Sequence, residues 1–175
     1  MPMRSGFAAL ALLGLATTTS MAEGPGLGVP LSEADIPAFA IHIMPDGTGL
    51  PDGSGTAAEG AEIYEFQCAF CHGETASEGP IEPLAAPHPG EFSRAAGSYW
   101  PYATTLFDYI RRAMPFHAPK SLEDDEVYAL TAFVLARSGV IDETDPMDAK
   151  TLPKVEMPAR DLTVDLWRLQ GEEPF

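Results

Sequence analysis

The chain contains two cysteines, which stand three positions apart with a histidine directly behind the second: Cys68-Ala69-Phe70-Cys71-His72, then Gly73. No other feature restricts the fold so tightly. Two thiols at that spacing on a helical turn reach the two vinyl groups of one porphyrin, and the adjacent imidazole is then held under the iron as proximal ligand. The pattern predicts one covalently attached haem c on Cys68 and Cys71, with His72 on the metal. Three other uses of paired cysteines compete. A structural zinc site takes four ligands, and no further cysteine exists to complete one. A thioredoxin-like redox pair sits in a βαβ context that these flanks do not offer. A short structural disulfide is the third, set against the histidine directly after Cys71.

The first residues read as a leader rather than as part of the fold. Arg4 gives a short positive start, Gly6 to Leu15 is an apolar run, and Ser20-Met21-Ala22 supplies the small residues a signal peptidase requires. The run is too short to cross a bilayer core of about 30 Å as a helix. A buried N-terminal helix and an uncleaved anchor are the alternatives. Cleavage after Ala22 places the chain in an oxidising compartment, the periplasm, as a soluble protein with no membrane span. Composition fits one packed domain: 175 residues, 45% hydrophobic and 21% charged. Collagen-like, coiled-coil and fully disordered chains are excluded. With 10 Lys plus Arg against 26 Asp plus Glu, the formal charge is −16. Coulomb repulsion argues against nucleic acid and anionic membranes, and favours a basic protein partner.

Around the cysteines the pattern is helical. Thr56-Ala57-Ala58-Glu59 matches a capping box, so a helix runs from there through Gly60, Ile63 and Tyr64 to the attachment motif. Gly60 and Tyr64 share a face, and the glycine permits close approach of another helix. Another helix is expected after Ser121 as N-cap, with acids Glu123 to Glu126 at its positive end and Arg137 at the other. Val127, Leu130 and Val134 give its apolar stripe, widened by Phe133 and Leu135, and Gly139 is its stop. Between them Trp100-Pro101 introduces a helix with Pro101 at the first position and Leu106, Phe107 and Ile110 on its apolar side. Pro115 ends it by pushing Met114 out of helical geometry.

That places a thioether at a helix end. Sulfur is soft and suits haem iron, and His/Met ligation raises the potential, so Met114 is the expected second axial ligand. Met44, Met147 and Met157 are its rivals, and His117 is the nearest nitrogen alternative. Gly79-Pro80 is placed to give the His72 imidazole a carbonyl acceptor at Pro80, or is an ordinary loop. Arg111 and Arg112 either pair with haem propionates or cap a helix. Trp100 and Tyr102 pack, or hydrogen-bond a propionate. Met44-Pro45-Asp46-Gly47-Thr48-Gly49 and Leu50-Pro51-Asp52-Gly53-Ser54-Gly55 repeat turn chemistry, with too few carboxylates for a calcium loop. Residues 23–55 and 140–175 are arms that lie on the core or on a partner, the alternative being free tails. Trp167 and Phe175 would be odd residues for a free tail.

The stretch Gly97 to Ala103, continuing through Phe107-Asp108-Tyr109-Ile110-Arg111-Arg112-Ala113-Met114-Pro115-Phe116, is more specific than a haem motif alone. With Ser121-Leu122 and Asp125 to Ala132, it resembles the cytochrome c subunits of periplasmic molybdenum sulfite and sulfur dehydrogenases, including the Sox-type sulfur dehydrogenase subunit. The likeness extends from Gly26-Leu27-Gly28 through Pro45-Asp46-Gly47 to Leu152-Pro153-Lys154-Val155 and Met157-Pro158. It implies an all-α, class I-like monohaem cytochrome c domain with extended, Pro/Gly-rich terminal arms. The expected division is a leader at 1–22, an N-terminal arm at 23–55, the haem domain at 56–139 and an extension at 140–175. By the resemblance Cys68, Cys71 and His72 hold the haem and Met114 is its distal ligand. The chain would do no substrate chemistry of its own, with no catalytic residues. It would accept electrons from a molybdenum-containing dehydrogenase subunit and pass them to a downstream cytochrome c or other acceptor. The single C-x-x-C-H departs from those Sox-type subunits that carry two haems. The alternative function is a free-standing soluble periplasmic shuttle to an oxidase or reaction centre.

Overall fold

The computed structural model describes residues 27–39 and 41–164. The expected leader, and Trp167 and Phe175, lie outside the described residues. The described residues up to Ile36 and those from Pro37 onward fall into two units. In the first, the Ser32 amide and hydroxyl donate to the Asp35 carboxylate at 3.0 and 2.6 Å. In chain order the elements are the single turn α1 (Ile36–Phe39), β1 (Ser54–Gly55), α2 (Ala57–Gln67), α3 (Ala69–His72), α4 (Ala96–Tyr99), α5 (Ala103–Ala113), α6 (Asp124–Arg137) and β2 (Met147–Asp148). Short 3-10 turns follow at Leu152–Lys154 and Arg160–Leu162. The described structure is helical, as expected, apart from one antiparallel pair of two-residue strands in which Ser54 faces Asp148 and Gly55 faces Met147.

The core is organised on the crossing of α2 and α6. Thr56 and Glu59 close the expected capping box, the Thr56 amide donating to the Glu59 carboxylate at 2.8 Å and the Glu59 amide to the Thr56 hydroxyl at 3.3 Å. Ala57, Gly60 and Tyr64 form the buried face of α2. Gly60 sits so close to α6 that a Cβ there would stand 2.0 Å from the Ala129 carbonyl oxygen. Beyond it the Tyr64 and Phe133 rings pack at 4.6 Å. In α6 every residue from Val127 to Leu135 is buried, so the expected stripe is instead an apolar cylinder. Its other sides are covered by α5, where Phe107 meets Tyr128 at 4.4 Å, and by the C-terminal segment, where Met147, Leu152 and Met157 are buried.

Two helix starts differ from the sequence expectation. The N-cap of α6 is Glu123, not Ser121: Glu123 and Glu126 form a capping box, the Glu123 amide donating to the Glu126 carboxylate at 2.8 Å. A charged acceptor at the positive helix end outcompetes a hydroxyl two residues upstream. Helix α5 starts at Ala103 with Tyr102 as N-cap, so Pro101 lies in the link from α4 rather than at the first helical position. The helix ends do match. Gly139, at φ +69°, closes a Schellman motif in which its amide donates to Ala136 at 2.9 Å and the Val140 amide to Leu135 at 3.0 Å. Residues 44–50 form turns, with Gly47 and Gly49 at positive φ. The segment is tied to α6 where the Tyr128 hydroxyl donates to the Pro51 carbonyl at 2.9 Å.

Candidate haem-binding site

Cys68 ends α2 and begins α3, and its carbonyl accepts from the Cys71 and His72 amides at 3.1 and 3.0 Å. The motif therefore occupies one helical turn, as its spacing requires. Both thiols are free. Cys71 is exposed, whereas Cys68 is half-buried, and burial pushes its thiol up to about 11, with Cys71 adding to the shift. The Nδ1 atom of His72 lies 3.0 Å from the Glu82 carbonyl oxygen. A carbonyl only accepts, so Nδ1 carries the hydrogen and Nε2 is left with its lone pair for a metal.

The acceptor is Glu82 and not Pro80, two residues further along than expected. The loop explains the displacement. Gly79 presses against the motif so closely that a Cβ would stand 2.3 Å from both the Cys71 carbonyl oxygen and the His72 carbonyl carbon. The Ile81 amide donates to the Cys71 carbonyl at 3.1 Å, which leaves the carbonyl after Ile81 to face the imidazole. The same loop is latched by Glu78, whose carboxylate accepts from the Thr75 amide at 2.9 Å and from the Thr75 hydroxyl. Those bonds hold the Glu78 carboxyl down at about 2. Tyr64 joins core to site by donating its hydroxyl to the Gly73 carbonyl at 2.7 Å, and burial raises its phenol well above the usual range. The Tyr64 and Glu82 roles have no sequence signature, but Thr75-x-x-Glu78 repeats the spacing of the capping box and could have been read.

Met114 is the C-cap of α5, half-buried and extended at φ −115° and ψ 151°, its amide donating to the Ile110 carbonyl at 3.0 Å. Buried Leu106, Phe107 and Ile110 fix the helix that carries it. The rival sulfurs are differently placed: Met147 and Met157 are packed in the core, and Met44 is 51% exposed in a turn. His117 is exposed. Both arginines before Met114 have carboxylate partners, Arg111 with Asp124 at 2.9 Å and Arg112 with Asp108 one turn back. Trp100 packs edge-on against Tyr109 at 5.3 Å, and Tyr102 lies 4.1 Å under the Arg160 guanidinium.

Two free thiols on one turn, an imidazole with Nε2 available and a thioether at a fixed helix end are the donor set that a haem c takes. The sequence family described as cytochrome c oxidase, cbb3-type, subunit III matches residues 55–134. Thiosulfate dehydrogenase of Allochromatium vinosum is 27% identical over 125 residues, which is 69% of this chain and 42% of that relative, so the chain spans less than half of it. The crystal structure of the sulfane dehydrogenase SoxCD from Paracoccus pantotrophus contains a chain 31% identical to this one, with a TM-score of 0.70, over 87% of this chain and 80% of that one. At 31% identity over 87% of this chain and 80% of that one, the protein belongs to the family of Sox-type cytochrome c subunits.

Proposed function

We propose that the protein is the electron-transfer subunit of a sulfite or sulfur-compound dehydrogenase. It would take electrons from a molybdenum-containing catalytic subunit and pass them to a downstream cytochrome c. The observation that carries this reading is the likeness to a sulfane dehydrogenase chain over 87% of the length, well beyond the helices that surround the motif. Cys68 and Cys71 would hold one haem c through their sulfurs. His72, oriented by the Glu82 carbonyl, would offer Nε2 to the iron, and Met114 would offer its sulfur. The bound haem provides reversible one-electron chemistry, and the thioether tunes it towards high potential. No side chain of this protein acts on the sulfur compound. Export by the leader at 1–22 delivers the chain to the periplasm, with an N-terminal arm at 23–55, the haem domain at 56–139 and an extension at 140–175. No described helix is long and apolar enough to cross a membrane.

Gentle purification from the native host at low salt tests the reading. Molybdenum should co-purify with the haem, and sulfite or thiosulfate should reduce that haem. A lone haem protein, free of molybdenum and inert to both, would overturn it in favour of a soluble shuttle.

A further inference from the structure

The Glu82 carbonyl that faces His72 is bracketed by backbone hydrogen bonds. On one side the Ile81 amide donates to the Cys71 carbonyl at 3.1 Å. On the other, the Leu84 and Ala85 amides both donate to the Ala76 carbonyl, at 2.8 and 3.0 Å. Ala76 and Ala85 are fully buried, and Ala76 stands at φ +67°. An alanine keeps that conformation only where its surroundings impose it.

Two side chains of the helical core hold the residues just before Ala76. Tyr64 of α2 donates its hydroxyl to the Gly73 carbonyl at 2.7 Å, and Arg137, the last residue of α6, donates Nη2 to the Thr75 carbonyl at 3.4 Å. The two come from one crossing: the Tyr64 ring packs on Phe133, which lies one turn before Arg137 on the same side of α6. A basic residue in the last turn ordinarily bonds the carbonyls of its own helix end. Among the described residues Arg137 instead has Thr75 as its acceptor, forms no ion pair, and keeps its Nε buried without a partner. Leaving a buried donor open is costly, so the course of this side chain is explained by the acceptor it reaches.

We propose that Tyr64 and Arg137 are positioning residues for the axial histidine: by holding the Gly73 and Thr75 carbonyls they fix the loop whose Glu82 carbonyl orients the His72 imidazole. The inference deepens the function proposed above and rests on its haem assignment. A hydrogen bond donated from Nδ1 raises the basicity of Nε2. The α2–α6 crossing therefore sets how strongly His72 donates to a metal, besides holding the core.

The test uses full-length holoprotein carrying isotope-labelled histidine. Tyr64→Phe removes one hydroxyl and keeps the ring on Phe133. Tyr128→Phe is the matched control, an equally buried tyrosine whose hydroxyl donates to the Pro51 carbonyl at 2.9 Å rather than to this loop. Both should lower the melting temperature. Only Tyr64→Phe should speed solvent exchange of the His72 Nδ1 hydrogen, by about fivefold for the loss of one hydrogen bond. It should also raise the reduction potential, because a less basic imidazole stabilises oxidised iron less. Arg137→Met should speed the same exchange, and Arg137→Lys, which keeps a charged donor, should restore part of it. Wild-type exchange and potential in Tyr64→Phe would overturn the assignment, and so would equal changes in Tyr128→Phe, which would mark a general loosening. If Tyr64→Phe takes up no haem, Arg137→Met decides: wild-type exchange there overturns the proposal, and faster exchange bears it out. A wild type without a histidine-ligated haem would overturn the haem assignment of the proposed function itself.

Discussion

Replacing Gly60 with alanine sets two effects of opposite sign against each other. Within a helix, alanine is favoured over glycine by about 1 kcal/mol, so propensity alone makes the variant more stable. The crossing argues the reverse. The new Cβ would stand 2.0 Å from the Ala129 carbonyl oxygen, 2.5 Å from its carbon and 2.8 Å from the Phe133 Cβ. Ordinary non-bonded contact is about 3.5 Å or more, so α6 must retreat by roughly 1.5 Å. The nearest obstacles are backbone atoms of a helix buried on all sides, which cannot rotate away. Overpacking of this kind costs about 1–3 kcal/mol and sometimes more, and here it belongs at the upper end. The net expectation is a loss of about 2 kcal/mol, or about 4–8 °C in melting temperature for a chain of this size. Urea unfolding of the holoprotein measures it, with Ala58→Gly on the exposed side of α2 as control. That control should lose about 1 kcal/mol through propensity alone. If Gly60→Ala unfolds at the same or higher urea concentration than wild type, the crossing has slack and the close approach of α2 to α6 is not what holds the core.

Three further outcomes follow from the site. Met114→Ala should lower the reduction potential and let carbon monoxide or cyanide bind; an unchanged spectrum and potential would remove Met114 from the iron. Gly79→Ala should reduce covalent haem loading and cost about 1–3 kcal/mol, because its Cβ would meet the Cys71 carbonyl oxygen and the His72 carbonyl carbon at 2.3 Å; loading and stability equal to wild type would refute the tight loop. Glu78 is held at about 2 against an ordinary 4.5, chiefly by the Thr75 hydroxyl, so its folded value is the depressed one. The stability it adds is present above about pH 4.5 and is lost as pH falls towards about 2. The melting-temperature gap between wild type and Glu78→Gln should fade over that window, and a gap that widened with acid would contradict the sign.

The legible features were those written in local chemistry. Thr56 with Glu59, Gly60 with Tyr64, Gly139 and Pro115 each announce a cap, a contact or a stop within a few residues, and each stands where its side chain or its lack of one requires. The C-x-x-C-H turn belongs to the same class. What was not legible depended on partners distant in the chain or lacking a side chain. Glu82 meets His72 through its carbonyl, which every residue possesses, so only the path of the loop under Gly79 selects it. The pairing of Ser54–Gly55 with Met147–Asp148 joins segments too short for any alternating pattern to betray. Arg111 and Arg112 sit among many acids, and the sequence alone could not say that Asp124 and Asp108 are the ones within reach. Ser121 lost the cap of α6 to Glu123 because both lie within one turn of the start and the charged group competes better for the helix dipole.

The electron transfer proposed for this protein requires a covalent haem on the Cys68–Cys71 turn, and such a haem is directly measurable. The intact mass of the purified protein and its pyridine haemochrome spectrum should show one haem per chain that acid acetone does not extract. Cys68→Ser or Cys71→Ser should shift the haemochrome band to that of a haem held by a single thioether. A chain whose two thiols react freely with an alkylating reagent, with no haem or only extractable haem, would contradict it.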